Sequence, residues 1–338
     1  TEDYEEALRI AEKVINFCSD NYLVENHMIS VTLNIGVACY PCDSKNMEEH
    51  IRNADTAMMQ ARKTGFNVIQ KYDKQIGIYI NKRDRIELKL KKVLYDEEFS
   101  LQFQPQVNCN DGSIYGVEAL LRWFTKKGDY IPPMDFIPIT EENGMIISLG
   151  YWIMEQAASQ LASWKKMYAS KIKMAINVSS KQLMEENFTD KLIQILDNYQ
   201  IPKQDFEIEI TENIQLETNS MIHETLAKLS SYGISIAIDD FGTGYSSLYY
   251  IRELPVNRIK IAKELIDQID HDIYAKSIVQ MVISVAKVNN IKVIAEGVET
   301  KEQWECLKEM ECNEIQGYLF SKPLVPNELE KNWFGNNE

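Results

Sequence analysis

The stretch Glu118-Ala119-Leu120-Leu121-Arg122 ends one apolar run of the sequence, and Asp239-Asp240-Phe241-Gly242-Thr243-Gly244 ends another. Further apolar runs each end in one polar residue, namely Asn177, Glu209, Lys260, Glu296 and Gln316. A polar residue at one strand end is common. A series of acids and amides, one per strand–helix unit, is typical of a barrel that assembles a divalent-metal site from distant parts of the chain.

The spacing of these polar strand ends predicts an α/β fold with a (β/α)8 TIM-like barrel. After Asn177, each interval between them matches one strand plus one crossover. The predicted strands cover residues 100–107, 114–121, 171–178, 205–211, 234–239, 257–261, 291–296 and 315–320. The predicted helices cover residues 147–167, 181–199, 217–231, 273–289 and 301–310. No helix separates the first two strands, so we expect the barrel to be irregular at its start.

A smaller unit that mixes helices and strands precedes the barrel. Its predicted elements are a helix over 4–18, a strand over 29–38, a helix over 47–64 that ends at Gly65, and a strand over 67–72. The highly charged residues 82–95 predict a connecting helix. The expected organisation is therefore a small α+β unit over 1–72, a helical linker over 73–95 and the barrel over 96–338.

Length and charge limit the classes of partner. A chain of 338 residues with 45% hydrophobic residues can bury one large core and a smaller one. A net charge of −15 argues against binding to a DNA or RNA polymer, because the chain would repel the phosphate backbone. A small phosphate ligand stays compatible with this charge if metal ions or local Arg and Lys residues supply positive charge.

The cysteines and the chain start indicate the compartment. Cys39-Tyr40-Pro41-Cys42 has the spacing of a redox or zinc pair, but no second pair and no nearby His accompany it, so reduced thiols are favoured. No secretory signal and no membrane-spanning apolar stretch are present, which predicts a cytoplasmic location. The chain begins at Thr1, which suggests a fragment of a longer protein whose upstream part could hold a membrane anchor.

The polar strand ends would converge on one face of such a barrel. Several carboxylates meeting there would repel each other strongly unless cations neutralise them. Oxygen ligands with one amide suit Mg²⁺ or Mn²⁺, and the Asp239-Asp240 pair would let one carboxylate bridge two ions. Two ions about 3.5–4 Å apart are a common arrangement for phosphodiester hydrolysis.

The barrel region resembles the EAL family of cyclic di-GMP phosphodiesterases from about residue 82 to 330. The resemblance covers Phe103-Gln104-Pro105-Gln106-Val107, Glu118–Trp123, Asn177-Val178-Ser179, Glu209–Glu212, Asp239–Leu248, Ile259-Lys260, Ala295–Thr300 and Gln316–Pro323. The three residues Glu118-Ala119-Leu120 alone would be a weak signal, but the combination is very specific.

This resemblance implies roles at the matching positions. Glu118, Asn177, Glu209 and Asp239 would hold the metal ions, with Asp240 on the second ion. Lys260 would orient the attacking water, and Glu296 would act as a metal ligand or base. Gln316 would support the site, and Glu212 would brace the loop after Asp240. The nucleotide-binding residues would be Gln104, Leu121, Arg122 and Pro323. The implied reaction is metal-dependent hydrolysis of cyclic di-GMP to linear pGpG.

One residue departs from the family pattern. The family usually reads Lys-Ile-Asp after the sixth strand, but this chain reads Lys260-Ile261-Ala262. Side chains two apart on a strand face the same way, so Ala262 would remove a carboxylate close to Lys260. This leaves an alternative open, a catalytically weak or inactive module that binds cyclic di-GMP as a receptor. An unrelated metal-dependent barrel would share the fold but not the motifs.

Residues 1–72 resemble the C-terminal half of a GGDEF diguanylate cyclase domain. The matching parts are Val31–Ala38, Ala54–Met58 and Gly65-Phe66-Asn67, whereas the GGDEF signature itself does not occur in the chain. This part is therefore not expected to make cyclic di-GMP. The resemblance also implies an upstream sensory or cyclase region in the parent protein, and a homodimer formed through the loop over residues 240–248.

Overall fold

The computed structural model describes residues 4–19, 22–24, 27–93, 98–168, 172–212, 220–242 and 254–335. Contacts between Cα atoms divide the chain into two compact units, Thr1–Lys92 and Val93–Glu338. The domain limits predicted from the sequence, 1–72, 73–95 and 96–338, stay a prediction. None of the helices in these described ranges combines the length and the apolarity needed to cross a bilayer.

The first unit consists of helices and short strands. Its elements are α1 (Tyr4–Cys18), β1 (Tyr22–Val24), β2 (His27–Ile29), β3 (Ile35–Val37), α2 (Met47–Thr64) and β4 (Ile69–Lys71), and α3 (Lys74–Val93) follows them. β1 pairs with β2 in antiparallel fashion, and β3 pairs with β4 in parallel. At Gly36 in β3, an added Cβ would lie 2.0 Å from the carbonyl oxygen of Ala54, so only glycine allows α2 to pack this closely.

The strand predicted over 29–38 is wrong in its middle part. Only Ile29 and Ile35–Val37 belong to strands there. Between them, asparagine side chains accept hydrogen bonds that backbone carbonyls would accept in a strand. The Leu33 N–H donates to Asn67 Oδ1 at 2.9 Å, and the Val68 N–H donates to Asn34 Oδ1 at 3.0 Å. Alternating hydrophobicity does not reveal such side-chain bonds, because they depend on residues more than thirty positions away.

The second unit is a closed barrel of eight strands, as the sequence predicts. Its sheet strands are β5 (Phe99–Asn108), β6 (Ile114–Phe124), β7 (Tyr130–Ile131), β8 (Lys173–Asn177), β9 (Phe206–Thr211), β10 (Ser235–Phe241), β11 (Arg258–Ile261), β12 (Lys292–Ala295) and β13 (Glu314–Ile315). The order around the ring is β5, β13, β12, β11, β10, β9, β8 and β6, and β6 pairs with β5 to close it. β7 pairs only with the end of β6.

The irregular start of the barrel is also confirmed. β5 runs antiparallel to both of its neighbours, β6 and β13, whereas the other ring pairs are parallel. A short turn joins β5 to β6, in which the Asn108 N–H donates to the Ser113 carbonyl oxygen at 2.8 Å. A turn this short permits only an antiparallel pair, because a parallel pair needs a long crossover.

The helices cover the outside of the barrel. They are α4 (Pro133–Glu142), α5 (Met145–Tyr168), α6 (Ser180–Leu183), α7 (Phe188–Asn198), α8 (Ser220–Ser231), α9 (Lys263–Ile266), α10 (Ile273–Val288), α11 (Lys301–Glu309) and α12 (Pro326–Leu329). The helix predicted over 181–199 is split into α6 and α7. The strand predicted over 315–320 is wrong beyond Ile315, because the chain turns there and the Phe320 N–H donates to the Gly317 carbonyl oxygen at 3.2 Å. Gly317 packs so closely on Val298 that an added Cβ would lie 2.1 Å from the Val298 carbonyl oxygen.

A buried ion cluster lies inside the barrel near the start of its strands. Arg258 at the start of β11 pairs with Glu207 of β9 and with Glu314 of β13, and all three side chains are at most 4% exposed. The Arg258 guanidinium lies 4.9 Å from the centre of the Tyr115 ring. Three strands that are distant in sequence are thus joined by one cation.

Arg258→Met should destabilise the chain strongly. The change leaves the buried Glu207 without its cation and leaves Glu314 with Lys292 alone, at 3.0 Å, and loss of one partner from a buried ion pair typically costs about 3–5 kcal/mol. Chemical denaturation would measure the free energy of unfolding. Lys228→Met is the matched control, because the Lys228–Asp190 pair is about half exposed and such pairs contribute at most about 1 kcal/mol. Equal losses in the two variants would contradict a stabilising role for the buried cluster.

Candidate active site

The barrel brings the polar strand ends together around the side chain of Lys260. This ammonium is fully buried on β11, and its Nζ lies 2.7 Å from Glu209, 2.8 Å from Glu296, 3.0 Å from Asp239 and 3.4 Å from Glu118. The four carboxylates come from β6, β9, β10 and the residue after β12. Because neighbouring strands are in parallel register, residues separated by up to 178 positions meet at one cation.

Amide side chains complete the hydrogen bonds of Glu118. Asn177 Nδ2 donates to Glu118 Oε1 at 2.7 Å, and Gln316 Nε2 donates to Glu118 Oε2 at 2.6 Å. Gln316 Nε2 also donates to Gln104 Oε1 at 3.0 Å. Both carboxylate oxygens of Glu118 therefore have a donor, which orients this carboxylate toward the centre of the cluster.

Two groups of carboxylates in the described residues have the geometry of a cation site. Ligand oxygens of Glu118, Glu209 and Asp239 lie within 4.8 Å of one another, and so do those of Asp239, Asp240 and Glu296. The groups share Asp239. Hard oxygen donors with an adjacent amide fit Mg²⁺ or Mn²⁺ better than a soft metal. The donor set therefore fits two divalent ions that share one carboxylate.

The electrostatics of the cluster reflect an excess of acids over bases. Burial raises the pKa of Glu209 well above its ordinary value, and the neighbouring Glu118 charge adds to this shift. Burial likewise raises the pKa of Glu296 to about 8. At Glu118, Lys260 and the amide hydrogen bonds outweigh the effect of burial and lower the pKa. Burial opposes the charge of Lys260, but the surrounding carboxylates raise its pKa well above the ordinary value.

The end of β10 has an unusual backbone that Glu212 holds in place. Asp240 has φ of 55°, and Gly242 has φ of 102°, a conformation that favours glycine. The Gly242 N–H donates to Glu212 Oε2 at 2.7 Å, and the Glu212 N–H donates to the Asp239 carbonyl oxygen at 3.1 Å. Glu212 thus joins the end of β9 to the end of β10. The rest of the Gly-rich motif, residues 243–248, lies outside the described residues.

The predicted nucleotide-binding residues lie at different distances from the cluster. Gln104 is buried and directly bonded to Gln316, and its Nε2 donates to the Ser321 carbonyl oxygen at 3.1 Å. Arg122 is half-buried on the same face of β6 as Glu118, and its Nε donates to Gln102 Oε1 at 3.0 Å. Strand alternation places Leu121 on the opposite face. Pro323 is half-buried beside Leu324, which pairs with Phe103 of β5.

Gln106 is a buried site residue that the sequence analysis did not assign. Its Nε2 lies 3.5 Å from Glu209 Oε1, and its side chain is 1% exposed. The sequence does contain a signal for Gln106: it follows Gln104 by two residues on β5, so both amide side chains lie on one face of the strand. Gly116 lies directly opposite Gln106 in the β5–β6 pair, so no second side chain competes for that space.

The chain belongs to the EAL domain family, because residues 88–323 match the family. Residues 1–68 match the diguanylate cyclase GGDEF domain, so both resemblances found in the sequence are confirmed. Over 324 residues, the chain is 32% identical to the bifunctional diguanylate cyclase/cyclic di-GMP phosphodiesterase MucR of Pseudomonas aeruginosa, covering 96% of this chain and 47% of that protein. The chain spans about half the length of the curated relatives it matches, or somewhat less.

Solved structures agree with this assignment. The structure described as "PaMucR Phosphodiesterase, c-di-GMP complex" superposes with a TM-score of 0.69 at 33% identity, covering 72% of this chain and 99% of that one. The EAL enzyme Bd1971, in a form bound to cAMP and cyclic di-GMP, superposes with a TM-score of 0.71 at 30% identity, covering 81% of this chain and 73% of that one. Both are similar in sequence as well as in fold.

The raised pKa of Glu296 predicts how stability changes with pH when no divalent ion is bound. The ordinary value is 4.5 and the folded value is about 8, so the folded state holds a proton that the unfolded state releases between these values. The contribution of Glu296 to the free energy of unfolding is therefore fully present below about pH 4.5, and it is lost as the pH rises to about 8. Thermal unfolding in EDTA should show this decline, and Glu296→Gln should flatten it. Parallel pH curves for the two proteins would contradict the assignment.

Proposed function

We propose that this chain is a metal-dependent phosphodiesterase that hydrolyses cyclic di-GMP to linear pGpG. The observation that carries this proposal is the pair of carboxylate groups that share Asp239 and surround the buried Lys260. The cyclic di-GMP ligand in the similar MucR structure supports the substrate class. The residues with ligand geometry are also those that the EAL motifs mark in the sequence.

The cluster fits a hydrolytic reaction. Glu118, Asn177, Glu209, Asp239 and Asp240 would hold two Mg²⁺ or Mn²⁺ ions, which when bound lower the pKa of water and offset the phosphate charge. Lys260 would orient the attacking water by donating hydrogen bonds. Water adds to phosphorus, one P–O ester bond breaks, and the released 3′ oxygen takes a proton.

The supporting residues would act on orientation and proton transfer. Glu296 would act as a metal ligand or as the general base that takes the proton of the attacking water, since its carboxylate lies beside Asp239, Asp240 and Lys260. Gln316 keeps Glu118 oriented, and Glu212 holds the chain that carries Asp239 and Asp240. Gln104 and Arg122 would contact the nucleotide, together with the chain near Leu121 and Pro323.

Glu118→Ala and Asp239→Asn should each abolish pGpG formation, because each removes an anionic oxygen ligand that water cannot replace with equal charge. Chromatography of cyclic di-GMP incubated with the protein and Mg²⁺ or Mn²⁺ measures the product. EDTA should stop the reaction, and either ion should restore it. Glu302→Gln is the control, because this acid is exposed at the start of α11 and should leave turnover unchanged. Near-normal turnover of either active-site variant would rule out the two-metal assignment.

The second candidate function is a receptor, and the observation that favours it is alanine at position 262, where the family usually has aspartate. Ala262 is fully buried after β11, where it precedes α9, and it offers no ligand atom. Lys260, however, has four carboxylate partners without help from position 262. A swing of Lys260 away from the site would break all four ion pairs, so the enzyme is favoured over the receptor.

We expect a slow but active phosphodiesterase whose substrate affinity is nearly intact. Loss of a group that supports an active-site residue typically costs about 10–100-fold in activity or affinity. Ala262→Asp should raise turnover or leave it unchanged, and Ala262→Asn is the matched control for size without charge. The decisive comparison measures pGpG formation beside equilibrium binding of cyclic di-GMP. Tight binding with no pGpG after hours in Mg²⁺ or Mn²⁺ would leave the receptor function.

We also infer a homodimer that forms through the loop over 240–248, most of which lies outside the described residues. Sedimentation at high micromolar concentration should detect the dimer, and a fully active monomer would contradict it. We further propose that the parent protein carries a sensory or cyclase region upstream of this chain. The free cysteines fit a reducing compartment, which supports a cytoplasmic location.

A further inference from the structure

The turn between β3 and α2 in the first unit carries a pair of cysteines, Cys39 and Cys42. Residues 40–42 form a turn, and the Asp43 N–H donates to the Cys39 carbonyl oxygen at 2.8 Å. A turn closed by this hydrogen bond brings the residues at its two ends close together. Besides burial, the nearby Cys42 thiol raises the pKa of the Cys39 thiol. The chain therefore already holds both sulfur atoms next to each other.

The turn is held by contacts that a covalent bond between the sulfurs would leave intact. The Cys39 N–H donates to Asp43 Oδ2 at 2.6 Å, and Asn53 Nδ2 donates to the Asp43 carbonyl oxygen at 2.6 Å. Cα atoms at the ends of a four-residue turn lie less than about 7 Å apart, and disulfides join Cα atoms about 4.4–6.8 Å apart. A disulfide between these two residues therefore needs little movement of the backbone.

The two thiols have different environments. Cys42 is exposed, whereas Cys39 is 3% exposed. Burial raises the pKa of the Cys39 thiol. Cys42 is thus the accessible nucleophile, and Cys39 lies behind it as the thiol that can displace a group from its sulfur. A metal site is not indicated, because no group of three ligands in the described chain includes either residue.

We propose that Cys39 and Cys42 form a reversible dithiol–disulfide pair, oxidised by small disulfides such as oxidised glutathione. The Cys42 thiolate attacks one glutathione sulfur, the S–S bond of the oxidant breaks, and one glutathione thiolate leaves. Cys39 then loses its proton to solvent and attacks the Cys42 sulfur, displacing the second glutathione. The protein loses two electrons and two protons, and the oxidant becomes two reduced glutathione molecules. The exposed sulfur and the short loop favour easy reduction, which makes the step reversible.

Peptide mass spectrometry of the whole chain tests this proposal. The chain is treated with oxidised glutathione, unfolded, alkylated and digested with trypsin. The expected result is a peptide that lacks alkylation at Cys39 and Cys42 and is lighter by two hydrogens, and reduced glutathione reverses the change. The internal control is Cys109 with Cys312, two neighbouring thiols that are both buried and should both be found alkylated. Full alkylation of Cys39 and Cys42 after oxidation would overturn the proposal.

Single variants assign the order of the two steps. Cys39→Ser should stop the reaction at a stable glutathione adduct on Cys42, and Cys42→Ser should leave Cys39 unmodified. Cys18→Ser is the matched control, because Cys18 lies in the same tryptic peptide and should not affect the disulfide. Loss of the disulfide in Cys18→Ser would overturn the assignment. Zinc binding would also overturn the assignment, if the reduced chain retains Zn²⁺ and the Cys42→Ser variant does not.

Discussion

The attraction between one buried ammonium and four carboxylates is the interaction on which the rest of the site depends. Without Lys260, acids from four strands could not ionise together at the end of the barrel, because like charges at such distances repel strongly. Burial raises the pKa values of Glu209 and Glu296, and the neighbouring carboxylates, which one cation does not balance, raise them further. The remaining negative charge is what makes the cluster suitable for divalent ions.

The interior of the barrel contains two charged layers, and strand alternation relates them. Glu207 and Glu209 are two residues apart on β9, and Arg258 and Lys260 are two residues apart on β11, so each strand contributes an inward residue to both layers. The lower layer has two cations for two acids, because Arg258 pairs with Glu207 and Glu314, and Lys292 also pairs with Glu314. The upper layer has more acids than donors. The same fold thus combines a compensated layer with one that is suited to ligand binding.

Much of the fold and of the candidate site could be predicted, because both depend on periodic patterns. Apolar runs that each end in one polar residue indicated the strands and their common face, and the structure brings those polar residues together at Lys260. The predictions were wrong where contacts between residues far apart in the sequence determine the course of the backbone. Residues 317–320 leave the sheet and turn where Gly317 packs against the Val298 backbone, and Leu33 and Asn34 bond to Asn67 and Val68 through asparagine side chains. Neither contact is local in sequence.

The sequence by itself determined the barrel class, the family and the residue types that face the site, because hydrophobic period and motif spacing are properties of the chain. Only the tertiary structure decided which groups touch. It placed Lys260 between Glu118, Glu209, Asp239 and Glu296, and it brought Gln106 under Glu209. Distances and burial set the charge balance of the site, and these depend on the closure of strands that are far apart in the sequence.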